Sequence, residues 1–287
     1  MRIIDVYAGI GGFTAGAMQA SCTPILGVDS DDTVLRVWGG NANGAKCRCA
    51  TLWRDAVDWP APSPDIHVHL SPPCTFLTSA RRGLIPAALV REAMNTMRGA
   101  INFVLEKAFS SWSIEYVNVW QVQTVMDTYL KDFPDRFSYT VVDAADHSVP
   151  STRKRIIAGP PALITRLREV PVRRVSIRQA FEDAGLTLPA LYIKNSTRVN
   201  GLACMRSVEK QAHTQTASHP LTWCTDDGTT VRCLTVQETV IVQGFPKAWI
   251  LPLGSRDSIQ ALGNATCPPV ACSIMKCAID LAASMDV

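Results

Sequence analysis

The chain has 287 residues, 47% hydrophobic and 18% charged, with a formal net charge of +3. These are the proportions of a globular protein with a sizeable core, and so small a charge gives no general affinity for polyanions. No run of about 18 apolar residues is present, which excludes a membrane-spanning helix. Ten cysteines without a secretory leader point to reduced thiols in an intracellular protein, not to a secreted disulfide framework.

Residues 3–7 read as a short apolar strand running into a glycine-rich turn, with a helix over 13–20. Gly9, Gly11 and Gly12 crowd that turn and do not keep the dinucleotide spacing G-x-G-x-x-G. Taken alone, the turn is either a ligand loop or an ordinary strand-to-helix bend. A second strand, 24–28, ends at Asp29. A third, 66–70, delivers the rigid tripeptide Pro72-Pro73-Cys74. Leu89, Ala93, Met97, Ile101, Val104 and Ala108 recur at helical spacing within 86–109, with Pro86 suited to the first turn. Strands follow at 113–119 and 138–142, with a helix over 121–130 between them, and another strand at 156–158. Strands separated by helices pair in parallel, so the first half reads as a doubly wound α/β sheet with ligands at the carboxyl ends of its strands.

After Pro160-Pro161 the rhythm breaks. To about Thr230 the sequence offers short apolar pieces and polar loops without a period, expected to form a small irregular region. Helices resume at 234–242, 255–262 and 269–283, the last rich in small residues that can pack on the sheet. The chain therefore divides into a large domain over 1–160, a small region over 161–213, and a part over 214–287 that completes the large domain.

Cys74, in a rigid turn at the end of a strand, is either a nucleophile or a buried structural thiol; cations such as Arg81 or Arg82 favour the thiolate. Glu115 interrupts an apolar strand, where a carboxylate costs several kcal/mol unless paired or protonated. It is either a proton donor or one half of a salt bridge. Arg153 and Arg155 alternate on a strand and so share a face, suited to a carboxylate together with a base oxygen or phosphate. Cys47, Cys49, His67 and His69 lack the usual C-x-x-C spacing of a zinc site, and alternation on a strand accounts for the histidines, so no metal is expected.

In order, Asp-Val-Tyr-Ala-Gly-Ile-Gly-Gly, Pro-Pro-Cys, Glu-Tyr-Val, Val-Pro-Ser-Thr-Arg-Lys-Arg, Leu-Thr-Val-Gln-Glu with Gln-Gly-Phe-Pro, and Gly-Asn-Ala resemble the motifs of the cytosine C5 DNA methyltransferases. The resemblance runs from residue 2 to about 276 and is interrupted between 160 and about 213. It implies a Rossmann-like methyltransferase sheet with S-adenosylmethionine as cofactor and S-adenosylhomocysteine as product. Tyr7, Ala8 and the turn of Gly9, Gly11 and Gly12 would surround the cofactor, with Pro72, Asn264 and Ala265 closing its site. Asp29 would hold the ribose hydroxyls and Asp55, the nearest carboxylate, the adenine amine. Cys74 would add to C6 of a flipped-out cytosine and Glu115 would hold N3 and the exocyclic amine. Arg155 would contact O2, and Arg153 would orient Glu115 or a phosphate.

The sequence departs from the family pattern at Tyr116, where the family has Asn, at Ser151, where it has Gln, and at Ala265, where it has Ser. The small region stands where the family places target recognition, with Arg173, Arg174, Lys194, Arg198 and Asn200 as candidate contacts. Double-stranded DNA is the expected partner of a monomeric enzyme. RNA or a free cytosine nucleotide is the alternative substrate, and a non-catalytic DNA-binding relative the alternative in kind.

Overall fold

A computed structural model describes residues 1–51, 58–74, 77, 85–199 and 202–285. Seven strands form the main sheet: β1 (Arg2–Val6), β2 (Thr23–Asp29), β3 (Lys46–Cys49), β4 (Ile66–Leu70), β5 (Ser111–Val117), β6 (Ser138–Asp143) and β7 (Lys154–Gly159). Their order is β3-β2-β1-β4-β5-β7-β6. Parallel pairing joins β3 through β5, while β7 runs antiparallel to both β5 and β6. The sheet is thus mostly parallel, as expected, and β7 is the exception: segment 144–153, which joins β6 to β7, is too short for a helical crossover.

Helices cover both faces. Against one lies α3 (Ala87–Glu106), whose Met97, Ile101 and Val104 meet Ile4, Val68, Ile114 and Tyr116. Each such side chain, fully buried, contributes about 1.5–3 kcal/mol. Beside it runs α4 (Trp120–Asp132), which adds Val122 and Met126 to the same core. Against the other face lie α1 (Gly12–Gln19), α5 (Pro161–Arg168) and the C-terminal α9 (Pro268–Met285), packing Phe13, Leu163, Ile164 and Ile274 on Ile3 and Ile157. α1 and α9 approach closely: a Cβ on Gly16 would stand 2.0 Å from the Pro268 carbonyl. Among the described residues no helix is long and apolar enough to cross a membrane.

Two elements between β2 and β4 carry little sequence signal. α2 (Asp32–Asn41) is capped by Asp31, which accepts from Thr33 N at 2.8 Å. β3 is an exposed edge strand of sequence Lys-Cys-Arg-Cys, with no apolar face to announce it. β5 starts two residues before its expected position, because Ser111 and Ser113 pair with His67 and His69 of β4.

The region after Pro160 is small but not irregular. It holds a four-stranded antiparallel sheet in the order β11-β10-β8-β9, from β8 (Tyr192–Val199), β9 (Leu202–Ser207), β10 (Thr222–Cys224) and β11 (Thr230–Cys233). These strands are short, and their apolar residues are too few to show a period. Ile193 and Trp223 pack with Phe181 of α6 (Ile177–Asp183) and with Val242 of α7 (Val236–Val242). The sheet draws strands from both sides of position 213. α7 opens with a capping box between Thr235 and Glu238, and α8 (Ser255–Asn264) leads into α9.

Candidate active site

A cavity of about 290 Å³ opens at the carboxyl ends of β1, β2, β4 and β5, close to the lower bound of roughly 300 Å³ for small-molecule sites. It is lined by Tyr7, Ala8, Gly9, Gly12 and Asp29 and by Pro72, Asn264 and Ala265, together with Cys74, Glu115, Arg153 and Arg155. Residues scattered from Tyr7 to Ala265 thus meet in one space. One expected residue is not brought there, and another is not described. Asp55 lies outside the described residues. Gly11 does not line the cavity: its Cβ position is 2.9 Å from the Trp38 ring and 3.0 Å from that of Trp249.

The three glycines of the turn do different things. Gly9, at φ +53°, has nothing within 4 Å of its Cβ position and leaves open space beside a cavity wall. Gly11, at φ +86°, is the N-cap of α1 in the left-handed region that favours glycine. Gly12 is needed for packing, since its Cβ would lie 2.2 Å from the Thr266 carbonyl. Asp29 accepts from Gly9 N at 2.8 Å and Asp31 N at 3.0 Å, one on each carboxylate oxygen. Its orientation is therefore fixed, with lone pairs left for hydroxyl donors. Open backbone at Gly9 and an oriented carboxylate at Asp29 fit a ribose-bearing cofactor.

At the other end Glu115 is buried and fully engaged. Arg155 Nε meets its Oε1 at 3.0 Å, and Thr266 Oγ1 donates to its Oε2 at 2.7 Å. The salt-bridge alternative for Glu115 is realised, with Arg155 as partner. Antiparallel register explains the pairing: Val117 is opposite Arg155, which places Arg155 diagonally beside Glu115. Arg153 does not orient Glu115. Its NH1 donates to the carbonyls of Gly263 at 2.9 Å and Gln215 at 3.4 Å, and its NH2 to that of Asn264 at 3.5 Å. The last carbonyls of α8 lack helical partners, and a buried cation answers their partial charge.

Burial pushes the Cys74 thiol up from its ordinary pKa, and the nearby Arg155 offsets this only in part. At rest Cys74 is a thiol. Arg81 and Arg82, the expected activating cations, lie outside the described residues. Tyr116, which stands where the resembled family has Asn, holds the Cys74 turn: its Oη donates to the Pro73 carbonyl at 2.9 Å and lies 3.3 Å from that of Ala93. Ser151 donates to the His213 carbonyl at 2.9 Å, which ties the small region to the entry of β7.

Sequence reasoning missed Thr266 and Ser71, both of which line the cavity; a single hydroxyl in a turn has no pattern to reveal it. Of the candidate recognition residues, Arg174 pairs with Asp146 at 2.7 Å and Lys194 donates to the Gly228 carbonyl at 2.5 Å. Both cations thus have partners within the protein. The Arg198 side chain and Asn200 lie outside the described residues, and Arg173 is held by its backbone, bonded to Asp146 and Ser148.

Residues 164–279 match the family model for C-5 cytosine-specific DNA methylase. No curated protein matches the chain significantly in sequence. Among solved structures, an Escherichia coli prophage-encoded protein, provisionally assigned as a DNA modification methyltransferase, aligns with a TM-score of 0.67 at 14% identity, over 98% of this chain and 99% of its own. A DNMT2 variant of Spodoptera frugiperda aligns at 0.60 and 14% identity over 97% and 99%. The Entamoeba histolytica methyltransferase EhMeth aligns at 0.62 and 13% identity over 98% of both chains. The resemblance to the cytosine C5 DNA methyltransferases therefore holds in fold over almost the whole chain, and in sequence model over the C-terminal part.

Proposed function

We propose that the chain is an S-adenosylmethionine-dependent DNA cytosine C5 methyltransferase. One observation carries this reading: a single cavity joins the Gly9–Asp29 end to Cys74 and the Glu115–Arg155 pair. S-adenosylmethionine, when bound, supplies an electrophilic methyl group. Tyr7, Ala8, Gly9, Asp29, Pro72, Asn264 and Ala265 hold it, with Asp29 on the ribose hydroxyls.

Cys74 loses its proton as it adds to C6 of cytosine, and the C5–C6 π pair moves to C5. Glu115 accepts from the exocyclic amine and, once protonated, donates to N3 and limits the charge on the ring, while Arg155 holds Glu115 and reaches O2. Methyl transfer to C5 would leave S-adenosylhomocysteine; the C5 proton then passes to solvent water, the C5–C6 double bond re-forms and Cys74 leaves as the thiolate. The target carbon is inaccessible in a stacked duplex, so the base must be flipped out. The sheet β8–β11 and the loops around it form the surface proposed to meet nucleic acid.

DNA is the preferred substrate because it is named both in the matched family and in the E. coli structure. The test is to supply labelled S-adenosylmethionine with duplex DNA, tRNA or dCMP in turn. Methylation of duplex DNA, with a covalent complex on 5-fluorocytosine that is lost in Cys74→Ser, is expected. Label in tRNA or dCMP alone would move the substrate, and no covalent complex on any of them would refute the mechanism.

A further inference from the structure

The face of the sheet that carries Glu115 also carries an unbroken row of hydrogen bonds that methyl transfer leaves unused. Thr266, which donates to Glu115, has its Oγ1 3.3 Å from Ser71 Oγ. Ser71 Oγ is 2.8 Å from His69 Nε2, and His69 Nδ1 is 2.8 Å from Ser113 Oγ. Ser113 Oγ is also 2.8 Å from His67 Nε2, and His67 Nδ1 is 2.8 Å from Ser111 Oγ. Strand geometry accounts for the row. β4 and β5 pair His67 with Ser111 and His69 with Ser113, and alternate residues on a strand share a face. His67, His69 and Ser113 are wholly buried, and the Phe13 ring lies flat on His69 at 3.6 Å.

The row has an internal logic. Burial drives both imidazoles far below their ordinary pKa, His67 to about 3, so both rings are neutral. A neutral imidazole has one N–H and one lone pair, and a hydroxyl has a single proton. Ser113 meets a ring nitrogen on each side and can donate to only one. Satisfying every link leaves two arrangements. With Glu115 accepting from Thr266, every donor points toward Glu115 and both rings carry their proton on Nε2. With Glu115 protonated and donating to Thr266, every donor is reversed and both rings carry it on Nδ1. The two differ by one proton at Glu115.

We propose that Ser111, His67, Ser113, His69, Ser71 and Thr266 form a proton relay that charges Glu115 from the amino edge of the sheet, an inference that rests on the methyltransferase reading. The transfer balances link by link. A proton from water enters at Ser111 Oγ, whose own proton passes to His67 Nδ1. The His67 Nε2 proton goes to Ser113, that of Ser113 to His69 Nδ1, and that of His69 Nε2 to Ser71. The Ser71 proton goes to Thr266, and the Thr266 proton to Glu115 Oε2. Each relay group gains one proton and loses one, and Glu115 becomes a neutral carboxyl able to donate to N3. A bound base covers Glu115 from the cavity side. The relay reaches it from the other edge, where Ser111 is partly exposed, across four residues of strand or about 13 Å. The ionisable groups nearest the row are Asp5 on β1, opposite His69, Glu115 itself, Arg155 on β7, Arg153 just before that strand, and Cys267 just before α9. Thr266 and the residues beyond it act through Glu115 and are positioning residues.

The relay predicts a kinetic and a spectroscopic signature that a merely structural seam lacks. Thr266→Val should slow single-turnover methylation by about 100-fold and abolish its solvent deuterium isotope effect, with duplex affinity and melting cooperativity retained. Thr266→Ser should restore both rate and isotope effect, and Ser113→Ala should reproduce the loss from a position that does not touch Glu115. Ring ¹⁵N shifts of the wild-type protein at neutral pH should show His67 and His69 neutral and both protonated on Nε2. Wild-type rate and isotope effect in folded Thr266→Val and Ser113→Ala would overturn the relay, as would opposite tautomers on the two rings. If the wild-type protein methylates no substrate, the methyltransferase reading fails, and the tautomers still decide the relay.

Discussion

Replacing Tyr116 by Phe removes one hydroxyl and nothing else, and the structure gives the consequence a size. The hydroxyl donates to the Pro73 carbonyl at 2.9 Å and reaches the Ala93 carbonyl at 3.3 Å. The single proton makes one net hydrogen bond, which contributes about 0.5–1.5 kcal/mol, so the loss should be about 1 kcal/mol. At an unfolding entropy of about 2.1 cal/mol/K per residue, a chain of this length should melt about 2 °C lower. The catalytic effect should be larger. Pro73 immediately precedes Cys74, and a misplacement of about 1 Å at a reacting atom costs about 100-fold in rate. Thermal melts followed by circular dichroism, with single-turnover methyl transfer on duplex DNA, measure the two effects separately. A variant that melts lower yet transfers methyl within about twofold of wild type would refute the idea that Tyr116 positions the Cys74 turn.

The buried ionisable groups set opposing pH dependences. His67, at about 3 in the fold against about 6.5 unfolded, contributes stability that is present above pH 6.5 and lost as pH falls toward 3. Asp5, raised to about 7 by burial, contributes stability that is present below about pH 4 and lost as pH rises through 7. Because Asp5 offsets the histidines in this range, Asp5→Asn should shift the difference in urea stability between pH 5 and pH 8 by about 3 kcal/mol in favour of pH 8; an unshifted difference would contradict it. Asp29→Ala should weaken S-adenosylmethionine binding by about 10-fold or more in calorimetry, the worth of a charged hydrogen bond, and an unchanged Kd would remove Asp29 from the site. Gly12→Ala should cost about 1–3 kcal/mol of stability through overpacking against Thr266, whereas Gly9→Ala, with open space at its Cβ but φ at +53°, should cost about 1 kcal/mol of backbone strain and weaken cofactor binding. Equal effects of the two substitutions in urea titrations and calorimetry would show that the glycines share one role.

The parallel half of the sheet was legible because buried strands write themselves as apolar runs and α3 as a helical period. α2 and β3 were not, since one is short and cap-driven and the other exposes every side chain. The small sheet escaped because its interior rests on a few residues, Ile193 and Trp223 among them, spread over short strands. At the site, the order of motifs pointed to Cys74, Glu115 and Arg155, which the fold brings to one cavity. Arg153 shows the limit: alternation placed it correctly on the face of Arg155, but the carbonyls that claim its guanidinium come from Gln215, Gly263 and Asn264, more than sixty positions away. Contacts of that span leave no mark on local sequence. The hydroxyls of Ser71 and Thr266 were silent for the same reason.

The reversal of β7 has a consequence for how the pocket is wired. In a parallel sheet each further strand offers its carboxyl end to the ligand edge and must be followed by a return crossover. β7 instead offers its beginning, so Arg153 and Arg155 reach that edge before the strand has been laid down. The same hairpin loop that turns β6 into β7 is bonded to the second sheet's root, through Ser148 to Arg173 and through Ser151 to Ala212 and His213. These bonds tie the small sheet to the chain within four residues of the guanidinium that grips Glu115, so the one strand that runs against its neighbours is also the one that anchors the second sheet to the cavity.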